Sequence, residues 1–162
     1  LIKCLNHIKK FGGHSMAIGI TIKRNELENL KESLEKVAKD EHIEDIIPII
    51  HIDAKIPLSE ITKEMVESLK ELEPFGEGNK MPVFVMKNLK IDSIRALTEG
   101  KHLKLTLKDG NNIIDAIGFN MGELSEKYLL DDKVDIVGNL DINVYNGNEN
   151  VQIILKDIRK SY

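Results

Sequence analysis

The sequence predicts an α+β chain: an α/β unit of helices and strands over residues 1–72, a proline–glycine connector over 73–82, and a five-stranded β-barrel over 83–162. Three observations carry this. Leu27, Leu30, Leu34 and Val37, and then Ile61, Met65, Leu69 and Leu72, recur at helical spacing, which gives each segment one apolar stripe. From Val83 onward the period changes: Leu103, Leu105 and Leu107 alternate with Lys104, Thr106 and Lys108, the pattern of a strand with one buried face. Between the two regimes, "ELEPFGEGNKMPVF" gathers two prolines and two glycines, the composition of a turn-rich connector.

Taken in order, Leu1 to Lys10 reads as the end of a helix with Leu1, Cys4, Leu5 and Ile8 on one face, and Gly12 stands where a helix stop is expected. "SMAIGITI" then alternates. Met16, Ile18, Ile20 and Ile22 form a bulky face; Ala17, Gly19 and Thr21 form a small one that admits close approach of another backbone. Asn25, with Glu28 three residues on, matches a capping box for the helix that follows. "IIHIDAKI" is a second strand, and Ser59 is the expected cap of a second helix. A start at Leu1 inside a helix reads as a piece of a longer protein whose partner elements lie upstream.

In the second half, strands are expected at Val83–Arg95, His102–Lys108, Asn112–Phe119, Lys133–Tyr145 and Asn150–Arg159, with a short helix at Gly122–Leu129. Asp109-Gly110 and Asn146-Gly147 are hairpin signals. Five strands with a helix after the third is the plan of the OB-fold, a small Greek-key barrel. Glycines inside long strands, Gly118 and Gly138, suit a barrel that must bend sharply.

Composition bounds the chemistry. The chain of 162 residues is 41% hydrophobic and 31% charged, a globular balance. No apolar run approaches the roughly 20 residues that span a bilayer, so no membrane partner is expected. Cys4 is the only cysteine, which excludes an internal disulfide and makes a reducing cytoplasm the default. Residues 1–80 carry 12 basic against 15 acidic side chains, and residues 81–162 carry 11 against 12. Net charge therefore gives no support for a nucleic-acid partner, which would need a local basic patch.

Three stretches together resemble one family. "GGHSMAIG", Gly12 to Gly19, is similar to the signature of the DHHA1 domain of DHH-superfamily phosphoesterases. "LEPFGEGNKMPVF", Leu72 to Phe84, is similar to the linker of RecJ-like single-strand-specific DNA exonucleases. The terminal stretches "HLKL" and "DIVGNLDINVYNGNENVQI" resemble their OB barrel. The resemblance implies a partial DHHA1 domain followed by an OB-fold, cut from a metal-dependent 5′–3′ exonuclease of DNA repair and recombination. It implies manganese or magnesium held by Asp and His residues of a DHH domain. This sequence has no Asp-His-His string, and its five histidines are scattered. The piece alone is therefore expected to hold no metal and to be inactive, its work being to bind single-stranded DNA.

Two site hypotheses follow. A turn at Gly12-Gly13 would aim backbone N–H groups at an anion, with His14 assisting at a phosphate and Ser15 donating a further hydrogen bond; the plainer reading is a helix-ending glycine pair beside an incidental histidine. On the barrel, OB-folds bind single strands across their second and third strands and the flanking loops. Arg95, Lys101, Lys104 and Lys108 are the candidate phosphate contacts, Phe119 and Tyr145 the candidate stacking groups, and Asn146 and Asn148 further hydrogen-bonding groups. The plainer reading makes the lysines a solvated strand face and Phe119 a core residue. Two rival functions stand beside this one. The first is a non-catalytic module that docks a single-strand-binding protein or a helicase. The second is another DHH phosphodiesterase acting on oligonucleotides or dinucleotides.

Overall fold

The structure, a computed structural model, describes residues 2–14, 17–43 and 47–161. Packing divides the chain after Ile49 into two units.

The first unit opens with a 3-10 helix, Ile2–His7. A hairpin follows, β1 (Lys10–His14) paired antiparallel with β2 (Ala17–Thr21). The helix α1 (Leu27–Asp40) follows. Cys4 and Leu30 are buried, whereas Leu27 and Leu34 of the same apolar stripe are exposed. His7 joins the helices: its Nδ1 lies 2.9 Å from Glu26 Oε2 and its Nε2 lies 3.1 Å from Ser33 Oγ. The expected cap at Asn25 is not formed. Asn25 sits inside a 3-10 turn, Arg24–Glu26, that runs straight into α1; the extended residue is Lys23, ahead of that turn, and Glu26, directly before α1, is already helical and makes no side-chain cap bond.

The second unit begins with a segment that the periodicity assigns to the first. Of "IIHIDAKI", only β3 (Ala54–Lys55) is strand, and it pairs parallel with the start of β4 (Phe84–Leu97). Asp53 N donates to Val83 O and Ile56 N to Val85 O. These bonds and the burial of Ile56, Leu58 and Val66 place residues 50–72 on the barrel. The packing boundary is thus at Ile49, not at the 73–82 connector. The second helix, α2 (Lys63–Ser68), is capped by Thr62, whose Oγ1 accepts from Met65 N at 3.1 Å. Ser59 instead lies in a separate 3-10 turn, Leu58–Glu60. The connector is structured: Asn79 Nδ2 donates to both Leu72 O and Pro74 O.

The remaining strands are β5 (His102–Asp109), β6 (Asn112–Gly118), β7 (Lys133–Tyr145) and β8 (Asn148–Lys160). β5 lies between β4 and β6, β6 pairs parallel with β8, β8 pairs with β7, and β7 returns to β4. This is a closed five-stranded mixed barrel, as alternation and turns predict. Met86, Leu89, Ile91, Leu103, Leu105, Leu107, Val134, Ile136, Leu140 and Ile153 fill it. Gly138 stands at a register shift between β7 and β8. The expected helix after the third strand is a 3-10 turn, Gly122–Glu126, stopped early by the Leu129–Asp132 turn, where Leu129 N donates to Asp132 Oδ2.

One buried carboxylate ties the barrel seam. Asp135, 8% exposed, accepts from Asn88 N, Ser161 Oγ and Arg159. Asn88 has a positive φ of 57° within the irregular stretch of β4 opposite β7. Burial pushes the Asp135 carboxyl up, but the bonds from Ser161, Asn88 and Arg159 outweigh it and hold the group below its ordinary 3.8. A lowered native value stabilises the fold above the unfolded value and loses that contribution as pH falls through the native one. Asp135→Ala is expected to cost roughly 2–3 kcal/mol near neutral pH, because it removes the charge-assisted bonds from Arg159, Ser161 and the Asn88 N–H at once. In urea unfolding the gap to wild type should narrow below about pH 4; a gap unchanged in acid would contradict this assignment.

Candidate nucleic-acid interface

The outward face of β4, β5 and β6 is set by the same alternation that fills the core. With Leu103, Leu105 and Leu107 inside, Lys104, Thr106 and Lys108 point outward, and in β6 Ile113, Asp115 and Ile117 do so opposite them. Register brings Arg95 directly beside Lys104. Lys101 lies in the β4–β5 loop, whose positive-φ residues Thr98, Glu99 and Gly100 turn the chain tightly. Phe119 follows β6 at the same end of the barrel, next to His102. It is 55% exposed, so it is not a core residue, and it meets the His102 ring edge-on with centroids 5.4 Å apart. His102 Nδ1 accepts from Asn120 N at 3.0 Å, which fixes the ring.

Arg95, Lys101, Lys104 and Phe119 thus share one end of the face: three cations beside an exposed ring. Among the described residues neither Arg95 nor Lys101 has an ion-pair partner. Lys104 does, in Asp115, with Nζ 2.5 Å from Oδ2. Lys108 stands four residues away along β5, roughly 13 Å at strand rise, and faces Asp92 at 3.9 Å. Tyr145, Asn146 and Asn148 are not part of this cluster. They belong to the β7–β8 turn, which the parallel β6–β8 register places beside the β5–β6 turn at the opposite end of β5. Tyr145 is 70% exposed there.

A polar row crosses the middle of the face. Ser93, Thr106 and Asp115 are in register on β4, β5 and β6. Ser93 Oγ donates to Thr106 Oγ1 at 3.0 Å, and Thr106 Oγ1 donates to Asp115 Oδ1 at 2.9 Å. Gln152 of β8 continues the row and donates to Asp141 Oδ2 at 3.3 Å. Sequence reasoning missed this row and His102. The signal was the two-residue Gly110–Asn111 turn, from which the β5–β6 register can be counted.

The Gly12–His14 segment is placed differently from its sequence reading. It is not a turn: Gly12, Gly13 and His14 lie in β1, opposite Gly19, Ile18 and Ala17. A Cβ on Gly13 would stand 2.2 Å from Ala17 O, so the glycine serves close strand approach rather than a helix end. Ser15 lies outside the described residues. No three His, Cys, Asp or Glu side chains gather as a metal-binding set among the described residues. No helix among them is long and apolar enough to cross a membrane.

The model of the RecJ OB domain family matches residues 52–157, the span of β3, α2, the connector and nearly all of the barrel. The chain belongs to the RecJ OB domain family. The single-stranded-DNA-specific exonuclease RecJ of Bacillus subtilis (strain 168) is 32% identical over 159 residues, covering 97% of this chain and 20% of its own length. The enzyme of the same name from Haemophilus influenzae is 30% identical over 157 residues, covering 93% of this chain and 27% of its own. The chain spans about a fifth to a quarter of the length of such relatives. The crystal structure of RecJ from Thermus thermophilus in complex with Mn2+ aligns with a TM-score of 0.65 at 24% identity, over 99% of this chain and 23% of that one. That likeness is one of fold, and it extends through both units of this RecJ OB domain chain.

Proposed function

We propose that this chain is the single-strand-holding portion of a single-stranded-DNA-specific exonuclease, and that the outward β4–β5–β6 face of its barrel carries the DNA. The observation that carries the reading is the cluster at the β4–β5 loop end: Arg95, Lys101 and Lys104 beside the exposed Phe119, on an OB barrel of the RecJ family. Clustered cations attract the phosphate backbone, and an exposed ring gives an unpaired base a stacking surface. A duplex hides its bases from such a ring, which favours single strands. Tyr145 and Asn146 extend the path toward the far end of β5, with Lys108 between.

Residues 1–49 are, on this proposal, the tail of a DHHA1 domain. What supports that reading is the resemblance of "GGHSMAIG", Gly12 to Gly19, to the DHHA1 signature. A phosphate contact there falls to His14 and the β1 backbone rather than to a turn. Hydrolysis belongs to divalent metal ions held by a DHH domain, and repair and recombination are its setting in the cytoplasm.

The test is fluorescence anisotropy with labelled single- and double-stranded oligonucleotides over a salt series. Tighter binding of the single strand, weakening linearly in log salt, is the expected result. Absence of single-strand binding at low salt would overturn it and leave the barrel as a docking module for a protein such as a single-strand-binding protein or a helicase.

A further inference from the structure

We propose that Asp115 is an internal stand-in for a DNA phosphate that holds Lys104 and restrains the affinity of this face for single strands. The inference rests on the DNA-binding reading above and adds a regulator of its strength. Lys104 is the most enclosed cation of the cluster, its side chain 21% exposed, and its ammonium sits 2.5 Å from Asp115 Oδ2. Asp115 is itself positioned, since Oδ1 takes the Thr106 hydroxyl, which in turn takes that of Ser93. Two strands' worth of side chains are therefore ordered to aim one carboxylate at one lysine.

A carboxylate and a phosphate oxygen make the same demand on an ammonium, a short charge-assisted hydrogen bond. A strand that uses Lys104 must displace Asp115 from it, and then leaves a carboxylate in the middle of the binding face. Arg95, directly beside Lys104 in register, carries no such partner among the described residues. The face thus presents free cations at its edge and a restrained one toward its centre.

Asp115→Asn removes the charge and keeps an oxygen for Thr106. Asp115→Ser is a second, smaller replacement should the first perturb the barrel. The probe is a labelled thymidine oligonucleotide and the readout is both affinity and the slope of log K against log salt. Asp115→Asn is expected to bind roughly three- to tenfold more tightly and to steepen the slope by about 0.7, the value of one added phosphate contact on a single strand. In a Lys104→Ala background the steepening should vanish. Equal steepening in both backgrounds would make Asp115 a general field charge and overturn the proposal. So would binding by all variants with unchanged affinity and slope, while leaving the DNA reading intact. Failure of wild type and variants alike to bind would overturn the DNA reading, and this proposal with it.

Discussion

Gly122→Ala is expected to destabilise the barrel by more than about 2 kcal/mol, at the upper end of overpacking effects. A Cβ there would stand 1.8 Å from Gly100 O and 2.6 Å from Gly100 C. Both are backbone atoms, so no side chain can swing aside. Gly122 N donates to Lys101 O at 3.2 Å in the same contact. The 3-10 turn and the β4–β5 loop are therefore seated on one another, and the loop is what carries Lys101 to the edge of the basic cluster. Thermal unfolding should show the midpoint lowered by about 5–10 °C for a domain of this size. Single-strand affinity should fall even at temperatures where the variant remains folded. A variant with unchanged stability would mean that the loop and turn part easily.

The second large effect concerns binding. Arg95→Ala combined with Lys101→Ala removes the two cluster cations that have no ion-pair partner among the described residues. Each phosphate contact on a single strand is worth about 0.7 in the slope of log K against log salt. The double variant should lose about 1.4 of slope and bind ten- to a hundredfold more weakly at low salt, on the order expected for two lost contacts. Lys108→Ala, whose ammonium stands in the field of Asp92, should do less. Both side chains are exposed on the outer face, so the fold should be unaffected. An unchanged slope would place the phosphate path elsewhere.

The barrel was legible because its signals are local. Alternation in Leu103–Lys108 names the inward residues of β5 directly, and Asn146-Gly147 forms the two-residue turn it predicts, with Tyr145 paired to Asn148 and positive φ at both turn residues. Asp109-Gly110 marks the other hairpin, displaced by one: Asp109 pairs with Asn112, and Gly110–Asn111 is the turn.

What escaped the sequence depends on distant pairing. β1 contains two glycines and a histidine, the composition of a turn, and is a strand only because β2 lies opposite it. β3 is two residues long and exists through its parallel neighbour β4; that partner, not periodicity, draws residues 50–72 to the barrel. The helix caps failed for a related reason: Asn25 and Ser59 each sit in a 3-10 turn that precedes or joins the helix proper.

The candidate site was legible in its parts and not in its assembly. Arg95, Lys101, Lys104 and Phe119 were each expected on the barrel surface, and their common end follows from the β4–β5–β6 register. The same register separates them from Tyr145 and Asn146, which sequence reasoning had grouped with them. The carboxylate on Lys104 was missed because Asp115 lies eleven positions along the chain, diagonal to Lys104 across the β5–β6 pair, and is placed there only once the hairpin register is counted.

The most direct test of the central claim is an NMR titration of the isotopically labelled chain with an unlabelled thymidine oligonucleotide, following backbone amide shifts. The DNA-holding face predicts the largest changes at residues 93–108 and 113–120, with the β7–β8 turn responding less and α1 not at all. Changes confined to residues outside β4, β5 and β6, or none at saturating oligonucleotide, would contradict it.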